Sequence, residues 1–247
     1  MKKLLSIAFC VAAVSAFGDT TVSLGHVGVT AITNTLKNTI VAVSYDDLAG
    51  GTGMVVSNFV KTTNLTTGDQ LAIFNGTGTY DTWTLDEKDG VKFWAKSDVT
   101  FTVNADGNLN QGEGKSADKT TQLVGTGIWL VRQNPTDKDG KAIPFYIYGK
   151  PVANPTLETA AGVWTLIGNP NQADFTIGND VVDKAADGDQ IVIPTEPDGN
   201  LCYYTYKTGK GWRTAGSDGH WVDNAPPELG AGLGCWILTK TASTINW

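Results

Sequence analysis

The sequence is poor in the side chains that most often carry catalysis or bind metals. It has two histidines and three cysteines, and no two cysteines have the Cys-x-x-Cys spacing of a zinc site. Nucleophile, base and metal-ligand sets are difficult to assemble from so few groups. We therefore expect no metal, no cofactor and no enzymatic activity.

Long hydrophobic runs and clusters of basic residues are also missing. No segment after the N-terminus approaches the roughly 18 apolar residues of a membrane-spanning helix, and the longest apolar run, residues 232–238, has the length of a buried strand. Loss of Lys2 and Lys3 leaves 16 of the 18 basic residues against 25 acidic ones, a net charge of −9. A chain of this charge is a poor partner for nucleic acid or anionic lipid. We expect neither partner, and no transmembrane helix after N-terminal processing.

The N-terminus has the three parts of a secretory signal. A short positive segment at residues 1–3 precedes an apolar run at residues 4–13, and Ala16 ends a stretch of small residues. Cys10 lies in mid-run after Phe9, which disfavours a lipoprotein anchor. We expect cleavage after Ala16 and export from a bacterial cell to the periplasm, the cell surface or the medium.

Turn and strand signals fill the rest of the chain. Glycine, threonine, valine and aromatic residues are abundant, as half-buried strands and tight turns require. Asp-Gly pairs at residues 89–90, 106–107, 139–140 and 198–199 predict hairpin turns with two consecutive positive φ angles. This pattern predicts an all-β protein.

An internal repeat is the most informative feature of the sequence. Each copy runs from a Gly-Asp-Gln strand through an aromatic strand and a glycine turn to a tryptophan, and closes with Gly-x-Gly-x-Trp and an apolar tail. The landmarks are residues 68–73 and 188–193, residues 80–85 and 201–206, Trp94 and Trp212, and residues 125–131 and 232–238. Four landmarks in the same order predict two copies of one supersecondary unit.

The repeat also predicts the architecture. Strands at residues 38–43 and 163–168 open the two copies, and residues 56–63 and 177–186 have a weakly helical pattern. The closing runs are apolar on both faces, so we expect central strands there. We predict two repeated β-sandwich-like modules, or one pseudo-two-fold β domain, with one or two short helical turns. The predicted division is a signal peptide at residues 1–16, a first module at 17–152 and a second at 153–247.

Part of the second copy resembles a known kind of exported module. GVWTLIGNP at residues 162–170 is similar to the G-W-N-L-I-G-N-P signature of uncharacterised secreted bacterial β modules, and GLGCW at residues 232–236 is similar to the G-x-G-F-W element that follows it there. Thr165 replaces the asparagine of the signature and Cys235 replaces the aromatic residue. The resemblance implies export and β architecture, and it implies no catalytic residues.

Two cysteines, Cys202 and Cys235, remain after signal cleavage. Cysteines in an exported domain usually pair when their Cα atoms come within about 7 Å. We therefore expect a disulfide between them, with two buried free thiols as the alternative.

Two kinds of polar cluster suggest a function, a catalytic triad and calcium-binding loops, and polar turns explain both more simply. Ser217, Asp218 and His220 share one loop, whereas a catalytic triad needs a base aimed at the nucleophile from a separate element. The other histidine, His26, lies in an expected early strand. Calcium-loop-like spacings occur at residues 102–113 and 137–140, and hairpin turns explain both.

Paired carboxylates suggest a glycosidase. Glycosidases need two carboxyl groups facing each other across about 5 to 9 Å of cleft. The neighbours Asp46 and Asp47 point to opposite faces of a strand, and Asp187 and Asp189 point the same way without facing each other. Neither pair meets the requirement, and we interpret Asp189 as a turn residue that enters its strand.

Aromatic side chains are the remaining candidates. The tryptophans repeated in both copies are Trp94, Trp212, Trp129 and Trp236, and repetition favours a packing role for them. Tyr203 alternates with the core-facing Tyr204, and Trp221 is unrepeated. Exposed aromatic rings stack on sugar faces, so Tyr203 and Trp221 are the candidate carbohydrate-stacking residues.

These observations rank the functions. We expect a non-catalytic exported envelope or surface protein with a structural or interaction role. A carbohydrate-binding or adhesin module is the alternative, and an integral outer-membrane protein and a secreted hydrolase rank below it. The sequence leaves the partner open, with polysaccharide or envelope proteins as the candidates.

Overall fold

The chain folds into antiparallel β-sheets. The computed structural model describes residues 27–48, 50–74, 79–96, 101–103, 109–111, 121–178, 182, 184–195, 200–216 and 219–247, so the expected signal peptide lies outside the described residues. This part of the chain has 21 strands and no helix of seven or more residues. No helix in it is long and apolar enough to cross a membrane. The all-β prediction is confirmed.

The first half builds a five-stranded sheet and three short ladders. In spatial order the sheet contains β2 (Asn38–Ala42), β10 (Gly127–Val131), β4 (Gln70–Phe74), β5 (Tyr80–Lys88) and β6 (Val91–Ala95). The ladders pair β1 (Gly28–Ile32) with β11 (Phe145–Gly149), β3 (Met54–Val55) with β9 (Thr121–Gln122), and β7 (Phe101–Val103) with β8 (Leu109–Gln111).

The second half builds a six-stranded sheet and two short ladders. In spatial order the sheet contains β13 (Trp164–Gly168), β20 (Gly234–Leu238), β15 (Gln190–Thr195), β16 (Asn200–Lys207), β17 (Gly211–Ala215) and β18 (Trp221–Val222). The ladders pair β12 (Thr156–Thr159) with β21 (Ser243–Asn246), and β14 (Phe175–Thr176) with β19 (Glu228–Leu229).

The two large sheets have the same strand order. Strands β2, β10, β4, β5 and β6 occupy the positions that β13, β20, β15, β16 and β17 occupy in the second half. Each repeated sequence landmark falls on corresponding strands, and the closing strands β10 and β20 lie inside their sheets as expected. Every named sheet takes its strands from one half of the chain, and the expected boundary at residues 152–153 falls between β11 and β12.

Alternation along the strands places one face of each sheet in a core. In the first half, Leu71, Trp83 and Leu130 are fully buried, and in the second half Ile191 and Ile237 are fully buried. Strand side chains alternate between faces, so this pattern separates an inner face from an outer face in each sheet. The repeated Trp94 and Trp212 lie in the two cores, in agreement with the packing role expected for them.

The Asp-Gly turns divide into three cases. Between β5 and β6, Asp89 and Gly90 have φ angles of 52° and 80°, so the predicted hairpin turn is confirmed there. At residues 139–140 only Gly140 has a positive φ, 76°, so this turn belongs to another type. The pairs at residues 106–107 and 198–199 lie outside the described residues.

The two weakly helical segments differ from each other. The predicted segment 56–63 coincides with the 3-10 turns Val56–Asn58 and Thr62–Asn64, the second of which ends one residue beyond it. In residues 177–186, Val182 forms a β-bridge with Ile245, and the Ala185 N–H donates to the Val182 carbonyl at 3.2 Å, which closes one short turn. Residues 179–181 and 183 lie outside the described residues.

The halves meet through paired backbone contacts, which we call the junction. The Ala42 N–H donates to the Gly232 carbonyl at 2.8 Å, and the Gly168 N–H donates to the Gly125 carbonyl at 2.7 Å. The strand registers place Ala42 opposite Gly127 in the first sheet and Gly168 opposite Gly234 in the second. Each contact is therefore the counterpart of the other under the repeat.

Glycine at the closing motifs allows this close approach. A Cβ atom on Gly234 would lie 2.6 Å from Ile40 Cγ2 of the first half and 2.6 Å from the Ile167 carbonyl oxygen. A Cβ on Gly127 would lie 2.8 Å from the same Ile167 oxygen. The second glycine of each Gly-x-Gly-x-Trp motif thus keeps the backbones of the two halves within hydrogen-bonding reach.

We predict that Gly234→Ala lowers the free energy of unfolding by about 2 to 3 kcal/mol, because the new methyl group would lie 2.6 Å from Ile40 Cγ2 across the junction and 2.6 Å from the Ile167 carbonyl oxygen, a backbone atom that cannot move aside. Urea denaturation measures the change. The control is Gly209→Ala, in an open turn at φ 76°, where only backbone strain of about 1 kcal/mol is expected. A Gly234→Ala change no larger than that of the control would contradict this account of the junction.

Candidate functional site

Tyr203 and Trp221 are the most exposed aromatic side chains of the described residues. Tyr203 is 59% exposed on β16, and Trp221 is 54% exposed on β18. Tyr204, the next residue along β16, packs against the core of the second half. The expectation that Tyr203 faces away from Tyr204 therefore agrees with the structure.

Strand register brings the two rings onto one line across the sheet. Trp236 lies opposite Val192, which lies opposite Tyr203, and Ala215 lies opposite Trp221. Tyr203 is one position beyond the Tyr204–Thr214 pair, which places it opposite Ala215. Trp236, Val192, Tyr203, Ala215 and Trp221 therefore form one cross-strand row on the outer face, called the outer row below.

The spacing within the outer row leaves room for a flat ligand. One strand separates Tyr203 from Trp221, so their backbones are about 9 to 10 Å apart. The intervening side chain, Ala215, is small and exposed. The two exposed rings therefore stand on either side of a shallow depression above Ala215, where a larger side chain would block a ligand.

Trp221 is held in place by charged neighbours that sequence patterns alone do not single out. The Arg213 guanidinium carbon lies 4.8 Å from the centroid of the Trp221 ring. Arg213 Nε lies 2.7 Å from Asp223 Oδ1, and the Lys210 ammonium lies 2.8 Å from Asp223 Oδ2. The hydrogen bond from Lys210 lowers the pKa of Asp223, and Arg213 adds to this effect. Arg213 and Ala215 lie two positions apart on β17, and this spacing is the one feature of the sequence that indicates that Arg213 lies on the same face as the outer row.

Aromatic rings from both halves cluster around Trp236, at the end of the outer row that lies nearest the junction. Phe74 packs edge-on against Trp236 with ring centroids 5.1 Å apart, and Tyr80 lies 6.3 Å from Trp236 in a similar geometry. Trp164 also packs edge-on against Trp236, at 6.3 Å. Trp236 and its repeat partner Trp129 are half-buried on the outer faces. The packing role expected for Trp236 thus lies at the contact between the halves instead of in the inner core of its own half.

Two grooves flank the junction in positions that the repeat makes equivalent. A groove of about 600 Å³ contains Pro194 and Gly234, and one of about 160 Å³ contains their counterparts Phe74 and Gly127. Among the described residues, aromatic side chains line only the smaller groove, where Trp164 joins Phe74. The two halves share a backbone plan but differ in the chemistry of these grooves.

Cys202 and Cys235 are both free thiols. Cys202 lies on β16 and Cys235 on β20, and β15 runs between these strands. Two strand spacings amount to about 9 to 10 Å, beyond the roughly 7 Å that a disulfide can span. The expected disulfide is therefore absent from the structure, and the two cysteines are free thiols, as in the alternative. Cys235 is buried and Cys202 is half-buried.

The neighbourhood of each thiol restrains its chemistry. Burial raises the pKa of Cys235, which keeps this thiol protonated at neutral pH. Cys202 lies 3.6 Å from the Thr214 hydroxyl. Burial also raises the pKa of the neighbouring Tyr204 to about 12, and the contact with Cys202 contributes to the shift. The described part of the chain has no group of three or more His, Cys, Asp or Glu side chains that could hold a metal ion.

The repeated Gly-Asp-Gln aspartates brace the entry to a strand. The buried Asp189 carboxylate accepts hydrogen bonds from the Ala186 N–H at 2.9 Å and from the Lys240 N–H at 2.6 Å. Asp69 makes the matching pair with Thr66 N–H at 2.9 Å and Gln133 N–H at 2.7 Å. These carboxylates tie each turn to the end of its closing strand.

The other acidic pairs also serve turns. Asp46 accepts a hydrogen bond from the Gly53 N–H at 2.6 Å, and Asp47 accepts one from the Asn58 side chain at 2.7 Å. Asp187 forms an ion pair with Lys207, while its neighbour Asp189 is buried. Carboxylates with such different partners do not face each other across a cleft.

The calcium-like and histidine-containing segments are described only in part. Asp137 Oδ1 accepts hydrogen bonds from the Asp139 and Lys141 N–H groups, both at 2.9 Å, so hydrogen bonding within the turn accounts for residues 137–140. Residues 104–108 and 112–113 of the first calcium-like segment lie outside the described residues. His26, Ser217 and Asp218 also lie outside the described residues, and His220 is exposed with its carbonyl accepting the Gly216 N–H.

We predict that the folded full-length chain carrying Cys10→Ser contains two free thiols, with Cys202 labelled first and Cys235 labelled only on unfolding. Burial and protonation of Cys235 remove the thiolate that reacts. Disulfide-exchange labelling followed by mass spectrometry measures both rates. With Cys202→Ser added, all labelling should require denaturant. A mass lower by two hydrogen atoms, or equal labelling rates, would refute this arrangement.

Comparison with known proteins identifies no relative of this chain. No protein-family model matches it, and no curated protein or solved structure is significantly similar to it. The likeness of residues 162–170 to the signature of secreted β modules therefore stays an expectation from sequence. What the chain binds must be inferred from its own side chains.

Proposed function

We propose that this chain is a non-catalytic exported protein of the cell envelope or surface, and that its second half binds carbohydrate through the outer row. The observation that carries the proposal is the alignment of Tyr203 and Trp221, more than half exposed, on either side of the exposed Ala215.

The chemistry of the outer row suits sugars. A pyranose ring has an apolar face of C–H groups and a rim of hydroxyl groups, so it stacks on an aromatic ring while its hydroxyls stay in water. Tyrosine and tryptophan each combine a large apolar ring with one hydrogen-bonding group, so each side chain can stack on the C–H face of a sugar and also meet its hydroxyl rim. Arg213 fixes the orientation of Trp221, which reduces the entropy lost on binding.

A protein-interaction role is the second candidate, and one observation favours it. Strand β18 is the last strand of its sheet in the described residues, and it exposes Trp221 on one face and Val222 on the other. An apolar sheet edge can pair with an extended strand of another chain. Such a partner would depend on Val222, which faces away from the outer row, whereas a sugar on the outer row would not.

The test is binding of the full chain to a polysaccharide and glycan array, followed by titration calorimetry of the strongest ligand. We predict that Tyr203→Ala and Trp221→Ala each weaken binding at least about tenfold, as loss of a central aromatic contact usually does. Leu123→Ala is the control, because Leu123 is 52% exposed and lies outside the outer row. Unchanged affinity in both aromatic variants, or no binding by the folded chain, would refute carbohydrate binding at this site.

A further inference from the structure

We propose that Tyr80, from the first half of the chain, is the third aromatic contact of this binding surface, and that the ligand is an extended carbohydrate chain touching both halves. The proposal rests on the proposed function and makes it more specific.

Tyr80 stands at the inner end of the outer row. Its ring lies 6.3 Å from the ring of Trp236, the first member of the row. Val192, the next member, is only 5% exposed, so the row is covered at this point and opens at Tyr203. A ligand lying on Tyr203 and Trp221 and continuing inward therefore runs towards Tyr80.

The Tyr80 ring is both fixed and accessible. Phe74 packs edge-on against it at 5.6 Å, and Trp236 supports it from the other half. Burial raises the pKa of Tyr80, while a hydrogen bond with Trp129 acts in the opposite direction. The side chain nevertheless stays 41% exposed. An aromatic ring held in one orientation with much of its surface open has the character of a stacking platform.

The aromatic pair Phe74 and Tyr80 is a departure from the repeat. The strand registers make Pro194 and Leu201 the second-half counterparts of Phe74 and Tyr80. Neither counterpart is aromatic, so this aromatic pair occurs on one side of the junction only. It stands on the side where Trp236 begins the outer row.

The length of the surface selects the class of ligand. Trp236 and Trp221 lie on strands β20 and β18, four strand spacings apart, which corresponds to about 19 Å. A single sugar covers one ring of the surface, whereas a linear oligosaccharide can lie on Trp221 and Tyr203 and reach Tyr80. Linear β-1,4-linked chains are extended and present flat ring faces, which suits a row of platforms with a small residue between them.

The test is titration calorimetry of the full chain with β-1,4-linked glucose oligosaccharides from disaccharide to hexasaccharide, and then with the N-acetylglucosamine series. We expect affinity to rise with chain length. Tyr80→Ala should weaken hexasaccharide binding about tenfold and leave disaccharide binding unchanged. Tyr80→Phe keeps the ring and should retain hexasaccharide binding, which separates loss of the platform from loss of the fold.

The outcomes distinguish this inference from the proposed function. If Tyr203→Ala weakens hexasaccharide binding and Tyr80→Ala does not, or if disaccharide and hexasaccharide bind equally well, the role of Tyr80 is refuted while carbohydrate binding stands. If no oligosaccharide in either series binds and the array is also negative, carbohydrate binding itself fails. Equal losses for the disaccharide and the hexasaccharide in Tyr80→Ala would assign Tyr80 a role in folding only.

Discussion

Two backbone hydrogen bonds, from Ala42 to Gly232 and from Gly168 to Gly125, hold the halves of the chain against each other, and the arrangement of the outer surface depends on them. Backbone groups can meet across the junction only where no side chain stands between them, which is why Gly127 and Gly234 sit at the contact. Because the two bonds are counterparts under the repeat, the contact resembles the self-complementary interface of a two-fold dimer, formed within one chain.

The junction connects the repeat to the proposed binding surface. Phe74 and Tyr80 of the first half reach Trp236 of the second half where β2 and β10 of the first sheet lie against β13 and β20 of the second. The outer row then extends from this contact to Tyr203 and Trp221, where the first half no longer covers it. Shared residues, such as the buried aspartates and glycines, keep the two halves folded alike. Unshared residues on the outer faces provide the chemistry that differs between them.

The parts of the fold that depend on local pattern were predictable from the sequence. The Gly-x-Gly-x-Trp motifs predicted interior strands, the pair Asp89–Gly90 predicted its hairpin turn, and alternation with Tyr204 predicted the exposure of Tyr203. Properties that depend on strand order were not predictable. The separation of Cys202 from Cys235 by one strand, and the approach of Tyr80 to Trp236, follow from how strands distant in sequence become neighbours. Trp221 was recognisable as a candidate, whereas its support by Arg213 required the register of β17 and β18.

Hydrogen exchange of the Ala42 and Gly168 amides tests the junction most directly. If the two bonds hold the halves together, both amides should exchange as slowly as the central amides of β10 and β20, and the two should be protected to a similar extent. Rapid exchange at Ala42 and Gly168, with the centres of β10 and β20 still protected, would mean that the halves are not joined in this way. The surface that links Tyr80 to the outer row would then lose its physical basis.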